Sequence, residues 1–265
     1  MILSSAHLAA RCSSLISRAL LGLWLWSSSI IVTAEPLSIA VASNFRLPLI
    51  ELLQEGLGAG DDDFHLNAAA SGLLFAQIQQ GARYHLFFSA DGARPERLMQ
   101  LGIAIPGSLR PYAMGQLVLW LPNRQHAWDD ALEAFRGLIA IANPLHAPYG
   151  AAAETLVANG WLPHRKDVVF AANVGIAFQY AEQGVVEGAF ISKTQALFAS
   201  LPEQDLLTID PRLYPVIEQK RVVLAIHPLG EQLLAYLDSS KGADHLRRLG
   251  YQPPAQPPIG NHHER

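Results

Sequence analysis

The stretch Leu37–Phe45, with the sequence LSIAVASNF, contains the unit from which most of the chain is built. Its first part, Leu37–Ala42, is a short apolar run of the kind found in buried strands. A polar pair, Ser43-Asn44, follows. From there the segment Phe45–Leu57 places apolar residues at helical spacing and polar residues on the opposite face. The stretch therefore predicts a strand that passes through a short polar turn into a helix.

The same unit recurs along the chain, and Gly or Pro residues mark its ends. The pattern predicts further strands at Phe64–Ala69, Tyr84–Ser89, Gln116–Leu121, Leu138–Ala142, Val168–Ala172, Gly188–Ile191, Leu206–Ile209 and Arg221–Ile226. It predicts further helices at Leu73–Gln80, Pro95–Leu101, Gly150–Asn159 and Gly175–Gln183. Such alternation implies βαβ units, and hence an α/β fold of mostly parallel sheets with helices on both faces.

Composition excludes several classes of protein. The chain has 265 residues, of which 50% are hydrophobic and 16% are charged, so it can form a core and is not a disordered or collagen-like protein. A formal net charge of −4 does not suit a phosphate backbone, and we expect no nucleic-acid partner. The single cysteine excludes a disulfide framework, and the ten histidines form no metal-binding motif. We therefore expect no cofactor and no cationic metal site.

Residues 1–34 have the pattern of a signal peptide. They contain Arg11 and Arg18 but no acidic residue, then the apolar run Ala19–Trp26, and they end in Val32-Thr33-Ala34. The alternative is an uncleaved membrane anchor, but the apolar run is short of the ~20 residues that span a bilayer. We expect cleavage after Ala34 and a mature protein without cysteine, which suits an oxidising periplasm.

Four strand-to-helix turns carry small or hydroxyl-bearing residues. They are Ala42-Ser43-Asn44, Ala70-Ser71-Gly72, Pro148-Tyr149-Gly150 and Asn173-Val174-Gly175. Helix N-termini present unpaired N–H groups and bind anions, and ligands of open α/β sheets lie at the carboxyl ends of strands. Ser, Asn and Gly before a helix are also ordinary caps. The pattern alone leaves both interpretations open.

Further motifs accompany these turns in a fixed order. They are Leu86–Asp91 (LFFSAD), Ala142-Asn143-Pro144 and the closing segment Leu246–Tyr251 (LRRLGY). Over Leu37–Tyr251, the order and spacing of these motifs and turns resemble those of the periplasmic molybdate- and tungstate-binding proteins, the solute receptors of ABC importers. The resemblance implies a two-lobe periplasmic-binding-protein fold (type II) with two crossing hinge strands. It places one lobe at 35–115 plus 217–265 and the other at 116–216.

The resemblance also nominates the ligand contacts, which we call the predicted cage: Ser43, Asn44, Ser71, Tyr149 and Val174. It implies side-chain donors at Ser43, Asn44 and Ser71, and backbone N–H donors at Tyr149 and Val174. The ligand is then molybdate or tungstate, and no residue is catalytic. The protein is expected to be a periplasmic monomer, not an enzyme, that delivers the anion to an ABC permease in the membrane.

Two positions depart from the family pattern. Ile191 stands where some relatives have a tyrosine, and His85 stands where the family usually has an aspartate. A receptor for another oxyanion, such as sulfate or phosphate, therefore stays open as an alternative. Since a fold alone does not fix function, a hydrolase that uses Ser43 or Ser71 is a second alternative, and it would need a base beside the serine.

Overall fold

The computed structural model describes residues 35–123, 127, 135–161 and 168–254. The predicted signal peptide, residues 1–34, lies outside them. Within them the chain forms two five-stranded sheets. The first contains β1 (Leu37–Ala42), β2 (Phe64–Ala69), β3 (Leu86–Ser89), β4 (Arg110–Met114) and β10 (Glu218–Val223). The second contains β5 (Leu117–Trp120), β6 (Ile139–Ala142), β7 (Val168–Ala171), β8 (Gly188–Ser192) and β9 (Leu206–Thr208).

Both sheets are mixed, with a parallel part at the predicted βαβ units. The first has the order β2-β1-β3-β10-β4, and the second β7-β6-β8-β5-β9. Strand β1 is parallel to β2 and β3, while β10 is antiparallel to β3 and β4. In the second sheet β6 is parallel to β7 and β8, and β5 is antiparallel to β8 and β9. The α/β class is therefore confirmed, and an antiparallel strand in each sheet is added to it.

The helices flank the sheets. They are α1 (Arg46–Glu51), α2 (Ser71–Gln79), α3 (Ala93–Gln100), α4 (Pro148–Ala158), α5 (Val174–Glu182), α6 (Lys193–Phe198), α7 (Pro228–Leu237) and α8 (Ser240–Arg248). The helix predicted at Phe45–Leu57 consists of three pieces, a 3₁₀ turn at Ser43–Phe45, then α1, then a π turn at Leu52–Gly56. Among the described residues, none of the helices has the length and apolar composition needed to cross a membrane.

Two strands differ from the sequence-based expectation. Strand β4 was not predicted, because its sequence RPYAM begins with an arginine and a proline and lacks a strand period. Strand β10 begins at Glu218 instead of Arg221, so it includes polar residues that are buried. Arg221 is 3% exposed and is paired with Asp238. Tertiary partners, and not local propensity, determine these two strands.

The chain passes between the sheets twice, once between β4 and β5 and once between β9 and β10. We call these two segments the crossings. They meet each other, because the N–H group of Gly115 donates to the carbonyl oxygen of Ile217 at 2.9 Å. Two adjacent crossings between two sheets are the arrangement that the predicted two-lobe fold requires. The lobe boundaries at 115/116 and 216/217 stay a prediction.

Candidate oxyanion site

The five residues of the predicted cage line one small cavity between the lobes. Its volume of about 10 Å³ corresponds to a single water-sized sphere. This is far too small for a sugar or a peptide, and a tetrahedral oxyanion would have to widen it. The lining residues are Ala42, Ser43, Asn44, Ala69, Ala70, Ser71, Ala90, Ala147, Pro148, Tyr149 and Val174. The structure thus brings together all four turns that were identified from the sequence.

Sheet geometry explains this convergence. The carboxyl ends of β1 and β2 lie side by side, since Ala42 pairs with Ala69 in parallel register. The ends of β6 and β7 do the same in the second sheet, where Ala142 pairs with Ala171. Each turn of the cage follows one of these four strand ends, so each lobe presents two turns to the space between the sheets.

Three of the turns open into helices that point their N-termini at the cavity. Ser71 and Val174 are the first residues of α2 and α5, and Tyr149 is the second residue of α4. The first N–H groups of a helix have no intrahelical acceptor, and they lie at the positive end of the helix dipole. The cavity is therefore surrounded by backbone donors that suit an anion.

The capping alternative applies to only one of these helices. In α5 the side chain of Asn173 accepts a hydrogen bond from the Ile176 N–H group at 3.0 Å, which is an ordinary N-cap. In α2 and α4 the N-cap residue is alanine, and no side chain caps the helix. Ser71 lies inside its helix, so its hydroxyl is not a cap.

Ser71 is 1% exposed, and its hydroxyl oxygen accepts a hydrogen bond from the Ala90 N–H group at 2.9 Å. A serine hydroxyl accepts and donates at the same time. Since Ala90 occupies the acceptor side, the hydroxyl proton of Ser71 is left to donate to a ligand. Ser43 is half-buried and faces Gly175 across the cleft, where a Cβ atom on the glycine would lie 3.5 Å from the Ser43 Cβ.

Asn44 differs from the expectation. Its side-chain Nδ2 donates to Gln219 Oε1 at 2.9 Å and to the Tyr251 hydroxyl oxygen at 3.0 Å. An asparagine amide has two N–H donors, so both are used within the protein. The side-chain donor that the resemblance implies at Asn44 is therefore turned to the scaffold, because these two polar partners are buried beside it. A contact between Asn44 and a ligand would involve its backbone.

The cavity is electrically neutral apart from these dipoles. Among the described residues that line it, none carries a charged side chain. Burial raises the pKa of the Tyr149 hydroxyl well above its usual value, and the neighbouring Tyr251 and Tyr214 raise it further. Tyr149 thus stays uncharged at any physiological pH. Neutral, fixed donors select an anion by size and geometry, whereas a flexible lysine would attract anions in general.

The lobes touch at one rim of the cavity. The N–H group of Gly72 donates to the His146 carbonyl oxygen at 2.8 Å, and Arg94 Nη2 donates to the Leu145 carbonyl oxygen at 3.4 Å. A Cβ atom on Gly72 would lie 3.0 Å from the His146 Cα atom and 2.9 Å from Arg94 Nη2. Glycine therefore permits this close approach.

Ile191 and His85, the two departures from the family pattern, both lie outside the cavity lining. Ile191 is fully buried in β8 and packs in the core of the second lobe. His85 Nδ1 accepts a hydrogen bond from the Ser38 N–H group at 2.9 Å, and its carbonyl oxygen accepts from Leu224 and Ala225. His85 thus ties β1 to the end of β10, away from the cavity lining.

One cluster outside the cavity has the composition of a cation site. Glu51, Glu55 and His245 each place one ligand atom within 4.8 Å of the others. His245 is 2% exposed and is already hydrogen-bonded at both ring nitrogens, to Glu51 at 3.1 Å and to Tyr236 at 3.0 Å. These bonds tie α8 to α1 and to α7.

Sequence reasoning missed the polar residues behind the cavity. Gln219 and Tyr112 lie in the two strands that were unpredicted or displaced, and both are buried. Tyr251 was noted only as part of the closing motif. No local pattern distinguishes a buried glutamine in a strand that also carries Glu218 and Lys220 from a solvated one.

Comparison with known proteins agrees with this geometry. Residues 37–252 match the family described as bacterial extracellular solute-binding protein. The molybdate-binding protein ModA of Azotobacter vinelandii is 30% identical over 228 residues, which are 82% of this chain and 90% of that protein. The ModA of Rhodobacter capsulatus is 33% identical over 222 residues, which are 80% of this chain and 86% of that protein.

Comparison with solved structures leads to the same kind of protein. The structure of the periplasmic molybdate-binding protein of Azotobacter vinelandii matches with a TM-score of 0.73 at 30% identity, over 83% of this chain and 100% of that chain. This match confirms the two-lobe fold and the resemblance that was drawn from the motifs. With a family match that extends from the first strand to the end of the closing motif, the chain belongs to the bacterial extracellular solute-binding proteins.

Proposed function

We propose that this protein binds molybdate or tungstate between its lobes in the periplasm and delivers it to an ABC importer. The observation that carries the proposal is the neutral cavity, in which the turns Ser43-Asn44, Ser71, Tyr149 and Val174 meet. A dehydrated tetrahedral dianion needs many donors in a fixed geometry, and hydrogen bonds to a charged acceptor are about twice as strong as neutral ones. Relatives that bind molybdate support the choice of anion.

Phosphate is a less suitable ligand. Part of it is protonated near neutral pH, and a protonated oxyanion needs an acceptor such as a carboxylate. Among the described lining residues, none carries one. Sulfate shares the charge and shape of molybdate and differs mainly in size, so it is the competitor that the experiment must include.

A serine hydrolase receives no support from the geometry. The hydroxyl oxygen of Ser71 is hydrogen-bonded to the Ala90 N–H group. Within the described residues, no imidazole or carboxylate is hydrogen-bonded to Ser43 or Ser71. A serine nucleophile requires such a base. His146, the nearest histidine in these turns, contributes its carbonyl oxygen to the contact with Gly72.

Titration calorimetry of the exported, processed protein with sodium molybdate tests the proposal. We expect one site with a Kd of about 1 µM or tighter, which corresponds to about −8 kcal/mol. Excess sulfate should leave this affinity unchanged. Absence of heat with both molybdate and tungstate would contradict the proposal, and binding that sulfate abolishes would identify a sulfate receptor.

The affinity for molybdate should not depend on pH between about 6.5 and 9. The raised pKa of Tyr149 keeps this tyrosine protonated throughout that range, and the other lining side chains do not titrate. Proton uptake or release on binding is then absent, so the slope of log Kd against pH is zero. Calorimetric titrations over a pH series check this. An affinity that falls as the pH rises through this range would contradict a neutral cavity.

We further propose that export removes residues 1–34. The intact mass of the protein recovered from the periplasm should correspond to a chain that begins at Glu35. A bulky substitution at the cleavage point, Ala34→Phe, should leave the unprocessed mass, whereas the same change at Glu35 should be tolerated. An unprocessed wild-type chain in the membrane fraction would contradict cleavage.

A further inference from the structure

A group of buried polar side chains lies between the cavity and the crossings. It consists of Asn44, Tyr112, Tyr149, Gln219 and Tyr251, and each of them is at most 4% exposed. Asn44 and Tyr149 belong to the predicted cage, one from each lobe. Gln219 lies in β10, two residues after Ile217 in the second crossing. The group therefore connects both halves of the cage with the segments that join the lobes.

The side-chain oxygen of Gln219 has all of its hydrogen-bond partners. Its Oε1 atom accepts from Asn44 Nδ2 and from the Tyr112 hydroxyl, both at 2.9 Å. A carbonyl oxygen has two lone pairs, so both are used. Since Asn44 Nδ2 is only a donor, the reversed amide would bring two donors together. The partners of Gln219 thus determine which way its amide points.

The side-chain nitrogen of Gln219 is less well satisfied. Gln219 Nε2 and the Tyr149 hydroxyl are both buried, and neither makes a hydrogen bond of good geometry. The two groups are complementary, because one is an N–H donor and the other a phenol oxygen. They are also neighbours: burial raises the pKa of the Tyr149 hydroxyl, and a hydrogen-bonding contact with the Gln219 side chain lowers it. Buried polar groups without partners are rare, since each costs free energy.

Tyr149 extends from the cavity to the crossings. Its backbone lines the cavity at the start of α4, whereas its hydroxyl lies against Gly115 and Ile217. A Cβ atom on Gly115 would collide with this hydroxyl and with Ile217 Cγ2. A ligand that accepts a hydrogen bond from the Tyr149 N–H group would therefore act on a residue whose far end lies at the segments that join the lobes.

We propose that Gln219 is a positioning residue of the anion site, and that its Nε2–H group donates to the Tyr149 hydroxyl when the anion is bound. Gln219 then holds both halves of the cage, Asn44 in one lobe through a permanent bond and Tyr149 in the other through a bond made on binding. This inference rests on the proposed function. It goes beyond it by assigning a role to Gln219 and to the Tyr149 hydroxyl.

The variant Tyr149→Phe tests the proposal, because it removes the hydroxyl and keeps the backbone N–H group. We expect the free energy of unfolding without anion to be unchanged or higher, since the lost hydroxyl is unpaired. We expect molybdate affinity to fall about fivefold, the effect of one net hydrogen bond of about 1 kcal/mol. A hydroxyl with a merely structural role would instead lower the stability of the anion-free protein.

A double-mutant cycle tests whether Gln219 is the hydrogen-bond partner of the Tyr149 hydroxyl. In a Gln219→Met background the donor is gone, so adding Tyr149→Phe should change molybdate affinity by less than twofold. The matched control is Tyr214→Phe, since the Tyr214 hydroxyl is buried but already accepts a hydrogen bond from the Leu117 N–H group at 3.1 Å. This control should lower stability and leave the affinity unchanged. If Gln219→Met does not fold, the single variant still decides the question.

The measurements are calorimetric titration with sodium molybdate and chemical denaturation without it. Wild-type affinity in Tyr149→Phe would overturn the inference alone, and so would a loss of anion-free stability equal to the loss of affinity. A wild-type protein that binds no molybdate would overturn the proposed function and, with it, the inference. The two failures are distinguishable, because the second is visible in the wild type.

Discussion

Replacing Ser71 with alanine is expected to weaken molybdate binding about 10- to 100-fold, as expected for a lost hydrogen bond to a charged group. The same change should lower the free energy of unfolding by about 1–3 kcal/mol, because the buried Ala90 N–H group loses its acceptor. Both effects have one cause, the hydroxyl that accepts from Ala90 and has its proton left for the ligand. Calorimetric titration and chemical denaturation measure them separately.

The control for Ser71→Ala is Ser239→Ala. Ser239 is the N-cap of α8 and accepts a hydrogen bond from the Gly242 N–H group at 3.1 Å, away from the cavity. Its loss should cost about 1 kcal/mol of stability and leave the affinity unchanged. If the two serine variants reduced molybdate binding equally, the loss in Ser71→Ala would reflect general destabilisation, and Ser71 would not belong to the cage.

Replacing Val174 with proline is expected to reduce molybdate affinity about 10- to 100-fold with little change in stability. Val174 is the first residue of α5, a position where proline is favoured because its missing N–H group has no intrahelical acceptor. The preceding residue, Asn173, already has the extended backbone that proline requires, with φ −158° and ψ 174°. The substitution thus removes one N–H group and preserves the fold around it.

Two controls distinguish the loss of the N–H group from the loss of the valine side chain and from a general effect of proline at the start of a helix. Val174→Ala truncates the side chain but keeps the N–H group, so its molybdate affinity should stay near that of the wild type. Ser240→Pro introduces proline at the first position of α8, after Ser239 in an extended conformation. It should leave the affinity unchanged. Wild-type affinity in Val174→Pro would show that the ligand does not use this N–H group, and Val174 would no longer belong to the predicted cage.

The turns of the cage could be predicted from the sequence because they combine two local signals. A short apolar strand ends, and a helix begins after one or two small residues, as at Ala42-Ser43 and Ala70-Ser71. Both signals depend on near neighbours in the chain. Because parallel strands end at the same edge of a sheet, their pairing then brings the turns together at that edge.

The residues behind the cage could not be predicted in this way. Gln219 belongs to a strand whose partners, β3 and β4, lie more than a hundred positions earlier in the chain. Its burial depends on Asn44, Tyr112 and Tyr251, which come from three other segments. For the same reason the family resemblance nominated Asn44, which lines the cavity, but did not indicate that its amide is bonded to Gln219 and Tyr251.

The position of β10 in the first sheet also constrains the order of assembly. The second sheet uses only residues between Leu117 and Thr208, so it can form as a contiguous piece. The first sheet needs β10, which is inserted between β3 and β4 although it follows the whole second sheet in the chain. During synthesis or export, the first sheet therefore remains incomplete until residues 218–223 become available. The proposed capture of an anion thus requires that the C-terminal part of the chain has arrived and folded.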